Sequence, residues 1–215
     1  MTRKPAEPIY DILREKIISG DFVPGAPLRQ DEIARNHGTS KIPVREALLK
    51  LEVDGFVTFR KNRGAIVREL STAEILHLTD IRVALECRAI ELAMPNMIEA
   101  DFETAEHILE DYARQKQTAS WSALNIQFHR TLYEPSGNAV LLQLIADIQQ
   151  RIGPNLRQFV TEISGLERPH SEHRLILAAC REGDIPAAVA LLRDHILTTK
   201  KEIAARLRRH EESVS

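Results

Sequence analysis

Three histidines have the type and spacing for metal chemistry: His129, His173 and His195. Each falls in a stretch with helical hydrophobic periodicity. Leu132 follows His129, Ile176 and Leu177 follow His173, and Ala188 and Leu192 precede His195. At 3.6 residues per turn these apolar neighbours share a face with their histidine. Each imidazole therefore points inward from a different helix. Imidazoles that converge in a helical core form a cavity suited to Zn²⁺, Ni²⁺ or a similar divalent ion. The same spacing also fits three hydrogen-bonded core histidines, and spacing alone leaves both readings open. A three-histidine zinc site with an open coordination position occurs in hydrolases too. Here no carboxylate stands out as a general base and no Ser/His/Asp pattern is present, so an enzyme is not expected. His37, His77, His107, His170 and His210 lack the inward pattern and are expected at the surface.

A second set of residues could grip a polyanion. Ser40 is placed to cap a helix from Lys41 to Asp54, with Pro43 in its first turn, where a missing N–H costs little. Val44, Ala47, Leu48 and Leu51 form the buried stripe of that helix. Lys41 and Arg45, four residues apart, lie on the opposite face. A guanidinium grips guanine with two hydrogen bonds, so Arg45 is the candidate for a base edge. The first N–H groups of the helix, with Ser40, can hold a phosphate. Further along, Arg60-Lys61-Asn62-Arg63-Gly64 is a basic turn between the β-rich runs Phe56–Phe59 and Ala65–Val67. Its cations can lie against a minor groove or a phosphate backbone.

The elements that must position these residues follow from periodicity and caps. A first helix runs from Pro8 to Ser19 and ends at Gly20, and a proline- and glycine-rich loop follows. A short helix from Gln30 to His37 and the tight turn Gly38-Thr39-Ser40 lead into the helix of Lys41 and Arg45. Three helices and a hairpin, with a glycine turn between the second and third helices, is the order of a winged helix-turn-helix. From residue 71 the chain reads as helices alone, at about 71–94, 101–118, 121–134, 138–163, 170–182 and 185–207. Ser71, Asn138 and Asp184 serve as N-caps, and Gly137 and Gly183 as stops. The expected fold is mainly α: a winged helix-turn-helix over residues 1–70 and an all-α six-helix bundle over residues 71–215. The final RRHEESVS segment is expected to fray.

Bulk properties agree with this division. Residues 1–70 hold 13 Lys/Arg and 10 Asp/Glu, net +3, and the remainder hold 16 and 21, net −5. Contact with a polyanion is thus expected in the first third. Two cysteines, Cys87 and Cys180, are too few to staple 215 residues and read as reduced core thiols. No apolar run approaches the ~20 residues of a membrane span, and the first residues lack the apolar core of a signal peptide. A cytoplasmic location is expected.

The first third resembles the GntR family of bacterial regulators. The resemblance is carried by Ile9-Tyr10, Ile17 to Phe22, Pro24-Gly25, Leu28, Glu32-Ile33-Ala34, Gly38 to Leu48, Leu51, Gly55 and the hairpin up to Gly64. The family usually reads G-V-S-R-T-P-V-R-E-A-L where this chain has Thr39, Lys41 and Ile42 in place of valine, arginine and threonine. Lys41 and Ile42 fall on DNA-facing positions. The resemblance implies operator binding through Ser40, Lys41, Ile42 and Arg45 and through the wing residues Lys61, Asn62, Arg63 and Gly64.

The rest resembles the FCD ligand-binding domain of the FadR subgroup. Matching pieces are Arg82 with Leu85-Glu86, Phe128-His129, Ser136-Gly137-Asn138, Glu172-His173, Gly183-Asp184 and His195. Six helices rather than seven point to the shorter, VanR-like branch. The resemblance implies a metal on His129, His173 and His195 with a fourth ligand one turn before the first histidine. That ligand is usually aspartate and here is Asn125. It further implies a homodimer, a pseudo-palindromic operator, and a small carboxylate effector at or near the metal that changes DNA affinity. Repression is the family's usual outcome. Arg82 is a second anion anchor or an ion-pair partner of Glu86 at i+4, and Arg151 is a further pocket cation. A ligand-free bundle that only dimerises is the simpler alternative.

Overall fold

The computed structural model describes the backbone of residues 9–114, 118–163 and 167–214, and their side chains outside 118–122, 156–163, 167 and 206–214. The chain forms two compact units. One comprises the residues through Leu70 with Gly153–Asn155, and the other Ser71–Ile152 with the residues from Leu156 onward.

In the first unit, α1 (Ile9–Ser19), α2 (Gln30–Asn36) and α3 (Lys41–Val53) pack around Leu13, Ile17, Ile33, Val44, Leu48 and Leu51. The hairpin is present as β2 (Val57–Arg60) and β3 (Gly64–Val67), paired antiparallel with Phe59 opposite Ala65. Its turn takes Asn62 at φ 65° as well as Gly64 at φ 70°. Asparagine tolerates that left-handed region better than most residues. The stretch expected to be only a loop contains β1 (Pro27–Leu28), which pairs with β3 and makes the sheet three-stranded, in the order β1-β3-β2. Two residues carry no readable period, and a proline at a sheet edge is harmless because no neighbour needs its N–H.

The second unit holds α4 (Thr72–Ala93), α5 (Glu99–Arg114), α6 (Thr118–Tyr133), α7 (Ala139–Ile163) apart from Gly153–Asn155, α8 (Glu167–Arg181) and α9 (Ile185–Val214). Ser71, the expected N-cap, forms a capping box with Glu74 on α4. Asn138 and Asp184 accept from Leu141 N and Ala187 N, and Gly137 and Gly183 take positive φ. Apolar residues of these helices form one core around Ile90, Phe128, Leu132, Tyr133, Ile176, Leu192 and Ile196. Three ends depart from expectation, and α6 starts at Thr118, three residues before the expected 121. α8 starts at Glu167, ahead of Pro169, because a proline in the first turn gives up only an N–H that has no helical partner there. α9 continues to Val214 instead of fraying. The expected end of the 101–118 helix falls partly on residues 115–117, outside the described residues. Cys87 and Cys180 are buried free thiols, and burial pushes Cys180 up to about 12. Among the described residues no helix is long and apolar enough to cross a membrane.

Candidate DNA-reading surface and metal centre

The DNA-facing candidates are brought together on the first unit. The stripe Val44, Ala47, Leu48 and Leu51 is buried, which turns Lys41, Ile42 and Arg45 outward on α3, with Ile42 70% exposed. Ser40 stands at the N-cap position with extended backbone, but its hydroxyl makes no capping bond. It therefore caps α3 by position only. Lys61, Asn62, Arg63 and Gly64 are exposed at the wing tip. An open groove of about 740 Å³ has Lys41, Arg63 and Gly64 in its wall. Arg29 and Arg35 line the same groove, two cations that the motif did not single out. Lys41 pairs with Asp31 of α2, and Arg60 pairs with Glu69 at 3.6 Å. Arg45 is exposed on α3, and Lys41 of the same helix shares the groove with Arg63 of the wing.

The three histidines converge in the second unit. His129 comes from α6, His173 from α8 and His195 from α9, and they are 1%, 0% and 8% exposed. Their candidate ligand nitrogens lie within 4.8 Å of one another. The His173 ring packs on Phe128 at 4.7 Å between centroids and meets Tyr112 edge-on at 5.5 Å. Burial, reinforced by the neighbouring His195 and by Arg82, holds His129 well below its ordinary pKa. Burial, then His129 and His195, does the same to His173. Both rings are therefore neutral, the form that ligates a metal.

Two hydrogen-bonded arms orient the outer rings. The Tyr133 hydroxyl donates to Glu86 Oε2 at 2.8 Å, which leaves its oxygen to accept from His129 Nδ1 at 3.2 Å. Glu86 is fully buried and also accepts from Arg82 Nε at 2.7 Å and Gln149 Nε2 at 3.3 Å. On the other side, His195 Nδ1 lies 2.7 Å from Glu172 Oε2. In both rings the Nδ1 bond leaves the Nε2 lone pair turned to other partners. His173 differs: both of its ring nitrogens are buried without a hydrogen-bond partner.

Arg82 is thus engaged with Glu86, the ion-pair outcome of their i+4 spacing, and that pairing raises its pKa against the lowering effect of burial. Arg151 is half-buried on α7 and has an interaction of its own. Asn125 is half-buried one turn before His129 on the same side of α6. Among the histidines expected at the surface, His77 and His107 are exposed and His37 is half-buried. His170 is half-buried and stacks on Tyr112 at 6.0 Å, because α8 begins early enough to place it against α5. His210 lies outside the residues with described side chains.

Comparison with known proteins decides the family. Residues 5–67 match the bacterial regulatory proteins of the gntR family, and residues 77–198 match the FCD domain. The chain is 30% identical over 200 residues to the HTH-type transcriptional repressor GlaR of Escherichia coli K12, across 88% of this chain and 91% of that protein. The chain belongs to the GntR family, in its FCD group.

This GntR-family chain is also 30% identical, over 89% of its length and 85% of the relative's, to a probable D-xylose utilization operon transcriptional repressor of Paenarthrobacter nicotinovorans. Among solved structures, Escherichia coli McbR/YncC superposes with a TM-score of 0.79 at 25% identity, covering 94% of this chain and 96% of that one. A putative regulator from Rhodococcus sp. RHA1, at 23% identity and a TM-score of 0.75, shares the fold. The protein is a DNA-binding transcriptional regulator and not an enzyme.

Sequence reasoning missed the polar residues behind the histidines. Tyr133 sits four positions after His129, a spacing that would have placed it on the same face. Glu172 neighbours His173 in sequence but serves His195 on another helix, and nothing in the sequence pairs those two.

Proposed function

We propose that this GntR-family regulator is a repressor that binds a pseudo-palindromic operator as a homodimer. A small carboxylate, bound at or near a divalent metal in the second unit, modulates operator affinity. His129, His173 and His195 are the metal's imidazole ligands and Asn125 offers a neutral oxygen. The repressor reading is supported by GlaR and by the probable xylose operon repressor.

The observation that carries the metal reading is His173. A buried polar group without a partner costs about 1–3 kcal/mol, and each such group calls for an explanation. A Lewis acid shared with the two neighbouring imidazoles would engage one of the two unpartnered nitrogens of this fully buried ring. The fit is good. Tetrahedral zinc with bonds of about 2.0–2.1 Å holds its ligand nitrogens about 3.4 Å apart. The candidate nitrogens, within 4.8 Å of one another, would have to draw closer on a bound ion. The donor set of neutral imidazoles suits zinc or nickel. When bound, the ion would anchor an oxygen of the effector as a Lewis acid.

The protein's residues do the rest. The buried walls keep His129 and His173 neutral, and Tyr133 and Glu172 hold the outer rings. Arg82 and Arg151 are the cations assigned to the effector, Arg82 by sharing its charge between Glu86 and the anion. Its field already reaches His129. Effector coupling to the reading heads should be on the order of 1–3 kcal/mol, a change of about 5–150-fold in DNA affinity.

Elemental analysis of purified protein tests the site, comparing wild type with the triple variant His129→Ala/His173→Ala/His195→Ala. One metal per chain, absent from the variant, is the expected result. Small carboxylates are then titrated against a duplex selected from a random pool. Equal metal content in the two proteins, or none after reconstitution with Zn²⁺ or Ni²⁺, would remove the metal from the mechanism.

A further inference from the structure

We infer that Glu172 is a positioning residue of the metal centre, holding His195 for ligation and supplying the anionic charge that the ligand set lacks. The inference rests on the metal reading given above. Three neutral imidazoles and an asparagine oxygen bring no negative charge to a divalent cation. Any compensation must come from one bond further out.

Glu172 is placed to do this. Its Oε2 lies 2.7 Å from His195 Nδ1, so the ring's proton sits on Nδ1 and the Nε2 lone pair is directed away from the carboxylate. The carboxylate is itself held. Arg168, one turn earlier on α8, donates through Nη1 to both oxygens of Glu172, at 2.7 and 2.6 Å. The same guanidinium reaches across to α9 and donates through Nη2 to Glu202 at 2.7 Å. His195 is on α9 as well, so Glu172 and Arg168 tie α8 to α9 at two points, the ligand itself and Glu202 about two turns beyond it. The cluster of Glu172, Arg168 and Glu202 carries a net charge of −1 if each is ionised. Glu202 and Arg168 are partly buried, with about a quarter of each side chain exposed, so this charge is screened less than at an open surface.

His129 has a different arrangement. Its carboxylate, Glu86, acts through the Tyr133 hydroxyl and is already neutralised by Arg82. The charge facing the ion through a histidine therefore comes from the His195 side. Outer-shell carboxylates of this kind raise ligand basicity and fix the tautomer.

The test uses the full-length protein and zinc alone. Wild type and Glu172→Gln are compared by competition with a chromophoric zinc chelator, and after cobalt substitution by the visible spectrum of the bound ion. Glutamine keeps the size and an acceptor oxygen but removes the charge. Zinc affinity should fall about 10–100-fold, and the cobalt bands should shift, a change that a purely structural role of Glu172 would not produce. Arg168→Gln leaves the carboxylate but frees it to move. It should weaken zinc binding by a smaller factor, and it stands in if Glu172→Gln fails to fold. Unchanged affinity and an unchanged cobalt spectrum in both variants, with wild type binding one ion per chain, would overturn the inference and leave the metal reading intact. A wild type that binds neither ion would overturn both.

Discussion

Truncation of Glu86 to alanine should destabilise the helical unit severely, and the structure sets the scale. Glu86 is fully buried and accepts from Arg82 at 2.7 Å, Tyr133 at 2.8 Å and Gln149 at 3.3 Å. Its removal leaves the Arg82 guanidinium, whose side chain is only 15% exposed, without its counter-charge. Breaking a buried ion pair from one side costs about 3–5 kcal/mol. The residual exposure of Arg82 places this case near the lower figure, about 3 kcal/mol. For a chain of this size each kcal/mol moves Tm by about 2–4 °C, so Glu86→Ala should melt about 6–12 °C below wild type. The assay is thermal unfolding followed by circular dichroism on metal-stripped protein, because a bound ion would add its own stabilisation. The double variant Arg82→Met/Glu86→Leu removes both charges and fills the space with apolar atoms. It should recover at least half of the loss, since well-packed apolar replacements of buried pairs are often neutral. A single variant that melts within about 2 °C of wild type, or a double variant that falls as far as the single, would refute the reasoning.

The same pocket predicts a pH dependence. His129 and His173 are held below the ordinary histidine value of about 6.5, so the unfolded chain binds protons there that the folded chain refuses. Stability of the metal-free protein is therefore complete above about pH 6.5 and is lost as pH falls, by about 1.4 kcal/mol per unit for each ring. Chemical denaturation at pH 7.5 and 5.5 should show this, and a higher midpoint at pH 5.5 would contradict it. On the reading surface, Arg45→Ala should weaken operator binding by about 1–3 kcal/mol and relax preference at one base position. Lys61→Gln should instead lower the salt slope by about one without changing preference. Fluorescence anisotropy over a salt series separates the two, and identical slopes for Lys61→Gln and wild type would take Lys61 off the phosphate contacts.

The sequence by itself determined the helices, their caps and the faces they bury. These depend on near neighbours: the period of Val44, Ala47, Leu48 and Leu51, the box of Ser71 and Glu74, and the stops at Gly137 and Gly183. Inward orientation of the three histidines was legible for the same reason, since one apolar stripe per helix sets the direction of each ring. What they face was not. Convergence of α6, α8 and α9 on one point depends on how three helices cross, and that is settled by packing between residues far apart in sequence. The strand at Pro27–Leu28 exists only because β3 offers its edge. Tyr133 joins Glu86 to His129, and Glu172 grips His195 instead of supporting its own neighbour His173. A hydrogen bond needs atoms about 3 Å apart, and only the tertiary structure brings residues tens of positions apart to that distance.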